Sequence, residues 1–426
     1  MPKINVIGGG LAGSEAASYL LKRGYEVHLF ERRPLVDDEA HVTPYFGELV
    51  CSNSLKSKRL DNACGLLKEE MRKMDSITMK AALAAEVPSG NALSVDRDQF
   101  AQLITAELRS YPNLIVHLKE VEKIPEGVTI VATGPLTGAA LLAELSSLIG
   151  KDNLFFFDAS APIVKKDSID FSKAYLKSRY EQGDSSYINC PFTKEEYELF
   201  VRELLEAKKA FTHSFDAPYF EGCLPVEVIA SRGPETLRHG PLKPFGLETP
   251  EHPHPYAVAQ LRQDTKLGDY YNIVGFQTNL AYPEQRRVFS LIPGLERAEF
   301  LRYGLMHRNA YIDAPISLNS DLSLQKAPDV FIAGQLSGVE GYVESAAMGI
   351  VAAINASRKI KGKRWVRVPH ETVTGALISY LLQASGSSFS PMNANWALLP
   401  ESGKNSREET IMRSLALIES YWSAVK

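Results

Sequence analysis

Apolar positions along this chain follow two spacings, and the change from one to the other marks its elements. In "KINVIG", residues 3–8, Ile4, Val6 and Ile7 form a short apolar run that breaks at glycine, which predicts a buried strand. "SEAASYLLKRG", 14–24, switches to helical spacing and stops at Gly24, a C-cap residue. "EVHLFE", 26–31, returns to strand spacing. "VTIVATGP", 128–135, and "DVFIAG", 329–334, predict two more strands, the second leading into a glycine-rich turn and a small-residue helix. "LSVDRDQF", 93–100, predicts a helix start with Asp96 as N-cap and Gln99 three residues on. The middle of the chain differs. "KEEYELFVRELLEAKKA" predicts a helix over 194–210, and the runs 256–264 and 270–278, joined by "TKLGD", predict a hairpin. No internal repeat or low-complexity tract interrupts the pattern.

The turn after the first strand, "GGGLAG", has Gly8, Gly10 and Gly13 in the spacing G-x-G-x-x-G, with Glu31 ending the next strand 18 residues after Gly13. Strand, glycine turn, helix and distal acid together make a dinucleotide fingerprint. Gly8 permits the tight turn, Gly10 lets backbone approach a pyrophosphate, and Gly13 lets helix and strand lie close. Gly9, Leu11 and Ala12 complete the backbone that faces the phosphates at the helix N-terminus. Glu31 is placed to accept hydrogen bonds from a ribose. A glycine-rich turn without a ligand is the alternative, and the flanking elements argue against it.

The N-terminal fingerprint, the middle Ala-Thr-Gly strand and the late strand with its glycine-rich helix start resemble the glutathione-reductase-like FAD fold. That resemblance implies an α/β, Rossmann-type FAD domain in two parts, residues 1–140 and 325–426, with an inserted α+β substrate and RNA-binding domain at 141–324. By the same analogy Gly334, Gln335, Gly338 and Gly341 face the flavin ring, with Glu340 nearby. The segment after the second strand runs back toward the flavin in this fold, which makes Cys51, Ser52 and Asn53 candidates for the site floor.

Composition narrows the picture. A chain of 426 residues predicts two to three domains, at about 150 residues each. Hydrophobic residues are 45% and charged residues 23%, ordinary for a globular protein. No apolar run approaches the roughly 18 residues of a membrane span, and "MPKINVIGGG" is no signal peptide, so a cytoplasmic protein without a membrane partner is expected. The net charge of −4 excludes a histone-like coat of positive charge but not a local basic patch. Such clusters occur at 54–59, at 175–180, and at 358–367, where six Lys or Arg surround Trp365. The four cysteines, Cys51, Cys64, Cys190 and Cys223, form no C-x-x-C pair, so no metal site and no dithiol motif is expected. Cys64 and Cys190 are expected to be structural. Cys223 stands apart: Gly222 and Pro225 keep "YFEGCLPVE" from being an ordinary helix. It is a small hydrophobe in a corner or a thiol held out for chemistry.

"ELVCSNSL", "NACGLLKEEMRKMDS", "FFFDASAPIV", "YFEGCLPVEVIASRG", "NIVGFQTNL", "YGLMHRNAYI" and "GQLSGVEGYVESA" closely resemble the folate- and FAD-dependent tRNA uracil-5-methyltransferases, the TrmFO family. The resemblance covers nearly all of residues 1–357. It implies methylation of uridine 54 in the tRNA T loop. The carbon comes from 5,10-methylenetetrahydrofolate, and NADH or NADPH reduces the FAD. It matches the family's two functional cysteines to Cys51 and Cys223, with Cys223 favoured as nucleophile and Cys51 as proton acceptor, or the reverse. His307 in "MHRN" is expected to stack on a pterin ring, with Arg308 and Asn309 binding polar atoms nearby. The alternatives are the same chemistry on a ribosomal uridine, and a plain NAD(P)H-linked flavin oxidoreductase.

Overall fold

A computed structural model describes residues 2–36, 41–150, 154–159, 161–179, 187–210, 224–265, 267–304, 306–383, 389–400 and 406–426; for 154–159 and 306–308 it describes the backbone alone. Ile4 and Val6 are wholly buried in the strand Lys3–Ile7, as expected of a parallel strand covered on both faces. That strand is central in a five-stranded parallel sheet ordered Val330–Ile332, Thr129–Val131, Lys3–Ile7, Glu26–Glu31, Leu114–Leu118. The order runs to one side of Lys3–Ile7 for the next strand and to the other for Thr129–Val131. Such a switch point opens a crevice beyond the carboxyl ends of the strands.

Helix Leu11–Leu21 follows the first strand, and helix Tyr342–Ile360 packs on it. Gly349 permits the contact, because a Cβ there would lie 2.2 Å from the Ala12 carbonyl oxygen. Helix Arg97–Arg109 starts where expected, with Asp96 accepting from the Gln99 backbone N–H at 3.0 Å. The strands Ser54–Ser57, Ala92–Val95 and Glu86–Val87 form a small antiparallel sheet beside it.

The middle of the chain builds a six-stranded antiparallel sheet ordered Tyr175–Leu176, Tyr187–Phe192, Ala257–Gln263, Tyr270–Ile273, Ile163–Lys165, Phe300–Arg302. Its second pair of long strands is the expected hairpin. Helix Lys194–Glu206 begins with a Thr193–Glu196 capping box and buries Tyr197, Phe200, Val201 and Leu204. It ends four residues before the predicted limit, because Lys208 to Ala210 turn extended and bond to Asn279 and Ala281.

Two hydrophobic cores result. One gathers residues from Ile4 to Leu145 and from Ala310 to Val425. The other gathers Ala161 to Ala298. The changeover thus lies after Leu145 and before Ala310, so Leu141, Leu145 and the segment 310–324 pack with the parallel sheet. The antiparallel ribbon of Leu154–Ala159 and Met306–Tyr311 runs between the two cores along the chain. Among the described residues no helix is long and apolar enough to cross a membrane.

Candidate active site

A first cleft, about 580 Å³ of empty space, lies over the glycine turn and is lined by Gly8, Gly9, Gly10, Glu31, Lys119 and Thr137, among others. Gly8 has φ +100, a conformation that glycine alone adopts easily. A Cβ on Gly13 would lie 1.8 Å from the Gly8 carbonyl oxygen, so the helix can start here only with glycine. A Cβ on Gly10 would meet nothing within 4 Å: its backbone faces open space. No side chain caps this helix, which leaves its first N–H groups, at Leu11, Ala12 and Gly13, for a ligand. The residues therefore fit a bound pyrophosphate. Glu31 is buried and accepts from the Gly9 N–H at 2.8 Å. Arg33 donates to both its oxygens, at 3.0 and 3.1 Å. Burial alone would raise the pKa of Glu31, but the Arg33 guanidinium and the two backbone N–H groups outweigh it and hold the carboxyl below its ordinary value.

A second cleft, about 1030 Å³ of empty space, opens at the start of helix Tyr342–Ile360. Cys51, Ser52, Gln335, Glu340 and Gly341 line it, so chain segments nearly 300 positions apart meet there. Gly334 and Gly338 do not line it. Both have positive φ, and their faces are covered by Ala12 and Phe389. Gly341, φ +119, caps the helix without a side-chain bond.

Cys51 is half-buried, and its Sγ lies 3.0 Å from the Tyr342 hydroxyl. The same hydroxyl oxygen accepts the backbone N–H of Cys51 at 2.8 Å and of Ser52 at 3.2 Å. Burial, then the neighbouring Cys51, drives the Tyr342 pKa well above that of free tyrosine. Glu344, two positions along the helix, is wholly buried. Its Oε1 accepts from the Ala394 N–H at 3.0 Å and from Lys56 Nζ at 3.3 Å. Its Oε2 is buried with no partner among the described residues, a feature a polar ligand would relieve. Lys56 has φ 63, a strained backbone at the cleft wall. Burial opposes its charge, but Glu344 prevails and raises its pKa.

The antiparallel sheet holds the Cys51 loop in place. Arg262, buried, donates from Nη2 to Ser52 Oγ at 2.8 Å and from Nε to Asn53 Oδ1 at 3.1 Å. Asn53 is fully buried and donates to the Val95 and Gln263 carbonyls at 3.1 and 2.8 Å, so its side chain serves this junction. Arg97 adds a buried ion pair with Asp264 at 3.0 Å and reaches the Leu49 carbonyl.

Of the other candidates, Cys223 lies outside the described residues. Val226, three positions on, donates its N–H to the carbonyl of Gln277, and Gln277 lines the second cleft. His307 and Arg308 lie on the strand Met306–Tyr311, opposite Asp158 and Phe157, and their side chains lie outside the description. Asn309 beside them is buried and lines the cleft. Cys64 and Cys190 are buried, and burial raises both thiol pKa values. The basic cluster at 54–59 is paired, with Lys56, Lys58 and Arg59 facing Glu344, Glu86 and Asp61. Sequence reasoning missed Tyr342, Glu344, Arg97 and Arg262. Tyr342 alone carried a signal: it is the one aromatic side chain at the head of a small-residue helix.

Comparison with known proteins bears on this geometry. Residues 3–364 match the family model described as glucose inhibited division protein A. A protein of Exiguobacterium sibiricum named methylenetetrahydrofolate–tRNA-(uracil-5-)-methyltransferase TrmFO is 54% identical over 402 residues, 94% of this chain and 93% of that one. One of the same name from Lactobacillus acidophilus is 51% identical over 436 residues, covering 100% of both chains. The solved structure of Aquifex aeolicus GidA in its form II crystal has the same fold, with a TM-score of 0.73 at 17% identity over 99% of this chain and 73% of that chain.

Proposed function

The chain belongs to the glucose inhibited division protein A family and, within it, to the TrmFO methyltransferases, and on that premise we propose that it methylates carbon 5 of uridine 54 in the tRNA T loop. The carbon donor is 5,10-methylenetetrahydrofolate, and the setting is the cytoplasm. The observation that carries the reading is a thiol, Cys51, held by Tyr342 in the cleft at the head of the late helix.

Bound FAD, reduced by NADH or NADPH, supplies the electrons that turn the methylene carbon into a methyl group. The chain's own residues do the rest. The turn from Gly8 to Gly13 holds the pyrophosphate, and Glu31 the ribose. Uracil carbon 5 is a weak nucleophile. Addition of the Cys223 thiolate to carbon 6 makes the ring an enolate that attacks the methylene carbon through carbon 5. Cys51 then takes the carbon 5 proton: S–H forms, the C–H pair becomes the double bond from carbon 5 to the transferred carbon, and the folate nitrogen leaves with the old C–N pair. A hydride added to that carbon would complete the methyl group, the exocyclic pair restoring the 5,6 double bond as Cys223 leaves as thiolate. The Tyr342 contact favours Cys51 as the base. The chain leading out of Cys223 is tied to Gln277 of the cleft wall, which supports a place for that thiol at the same cleft. His307 and Arg308, next to Asn309, contact the folate. The inserted domain, whose core runs from Ala161 to Ala298, presents the RNA, with the base extruded toward the cleft.

The test is an assay with unmodified tRNA transcript, labelled methylenetetrahydrofolate and NAD(P)H. Label should appear as 5-methyluridine at position 54 and be lost in Cys223→Ala. Wild-type rates in that variant would remove Cys223 from the mechanism, and an unlabelled tRNA beside a labelled ribosomal RNA transcript in a parallel reaction would move the substrate.

A further inference from the structure

Among the described residues the Tyr342 hydroxyl has three neighbours, and it has one proton. Its oxygen receives the backbone N–H groups of Cys51 and Ser52, at 2.8 and 3.2 Å, and neither can accept a hydrogen bond. A phenol oxygen has no acceptor capacity left after two such bonds. Its own O–H therefore points to the third neighbour, Cys51 Sγ, at 3.0 Å. The direction of that bond is fixed by the backbone of the loop that carries the cysteine.

A donor aimed at sulfur favours the thiolate over the thiol, because a bond to an ionised acceptor is roughly twice as strong as one to a neutral one. The surroundings add to this. Arg97 acts electrostatically on both Cys51 and Tyr342, and Arg302 on Tyr342. Arg262 lies on the same cleft, bonded to Ser52. The opposing charges are Asp264, which pairs with Arg97, Glu48, which acts on Arg302, and Glu340, which lines the same cleft and accepts from Gln335. Lys56 and Glu344, also on the cleft, form a pair and offset one another.

We propose that Tyr342 is a positioning residue for Cys51, its hydroxyl holding the sulfur as a thiolate aimed into the cleft and ready to receive a proton. The proposal rests on the proton-acceptor role assigned to Cys51 above. When Cys51 takes the carbon 5 proton, the sulfur ceases to be an anion and the Tyr342 bond weakens. That bond is then strongest before the transfer, when it keeps the base in its active form. The two backbone N–H groups hold the phenol in place throughout.

The experiment measures the thiol itself. Holoenzyme is alkylated with iodoacetamide across a pH series, and the Cys51 peptide is quantified by mass spectrometry. In Tyr342→Phe the midpoint should move to higher pH, and alkylation near neutrality should slow roughly tenfold, since one unit of pKa is one factor of ten. The acid limb of the methylation profile should move with it, at unchanged FAD content. Removing the hydroxyl also strips two backbone N–H groups of their acceptor, so a second variant guards against a distorted loop. Fluorotyrosine at position 342 keeps every contact and makes the phenol a stronger donor, and it should move the midpoint to lower pH. An unchanged midpoint in both variants overturns the proposal, whether or not the protein methylates tRNA. Shifted midpoints with an unshifted methylation profile overturn Cys51 as the base.

Discussion

Arg262 is where the antiparallel sheet grips the loop of the candidate base, and its removal should separate binding from turnover. Its guanidinium makes two bonds across the junction, to Ser52 Oγ at 2.8 Å and Asn53 Oδ1 at 3.1 Å. Bonds from a charged donor contribute about 1.5–3 kcal/mol each. Against that stands the cost of burying the cation, which lowers the Arg262 pKa. Asn53 keeps its bonds to Val95 and Gln263 when Arg262 is gone, while its carbonyl, the Ser52 hydroxyl and Tyr187 lose the guanidinium. We expect Arg262→Ala to cost about 2 kcal/mol, a fall in Tm of roughly 4–8 °C for a unit of 150–250 residues. The loop should also lose its register, and a misplacement of about 1 Å can cost roughly 100-fold in rate. FAD should stay bound, because Arg262 is not among the residues lining the dinucleotide cleft. The assay pairs calorimetry with steady-state methylation at saturating tRNA. Arg262→Lys should fall between, since an ammonium cannot serve both acceptors with a planar fork. Wild-type turnover in Arg262→Ala, at a Tm lowered as expected, would refute the link between this grip and the chemistry.

Two further outcomes follow from the dinucleotide cleft. Gly13→Ala puts a methyl 1.8 Å from the Gly8 carbonyl oxygen, backbone that cannot swing aside, and should purify largely without flavin, read as visible absorbance per protein. Glu31, with its pKa held below the ordinary 4.5, contributes stability that is full above that value and lost as pH falls through the lower folded value. Glu31→Gln should therefore flatten the acid side of a Tm-against-pH curve and leave its slope above pH 6 unchanged.

What the sequence disclosed depends on the range of the interaction that fixes each feature. The glycine turn and the Asp96 cap are settled by sterics and bonds within a few residues, and they are legible in a short window. The strand Lys3–Ile7 and the hairpin follow from apolar spacing alone. Cys51 was visible as a thiol in a polar loop, but its partner was not: Tyr342 stands 291 positions away, at the head of the late helix. Arg262 and Asp264 fell in a run that the sequence marked only as one arm of a hairpin, and Ser52, Asn53 and Arg97, which bond to them, come from distant segments. Glu344 belongs to the same class: no local pattern marks a carboxylate oxygen that is buried without a partner.

The split between the two cores has a consequence for the order in which the chain can assemble. The strand Lys3–Ile7 is made first, but its sheet is completed only by Val330–Ile332, and helix Leu11–Leu21 is covered only by Tyr342–Ile360. At roughly 5–20 residues per second, about 15–70 seconds of synthesis separate these pieces. The core of Ala161 to Ala298 draws on no residue outside that interval and is complete in the meantime. During translation, then, the later-made centre is ready before the unit that begins the chain. The nascent protein exposes an apolar helix face until its last quarter emerges. A chaperone that shields this face, or a pause that prolongs its exposure, would govern yield without touching any residue of the clefts.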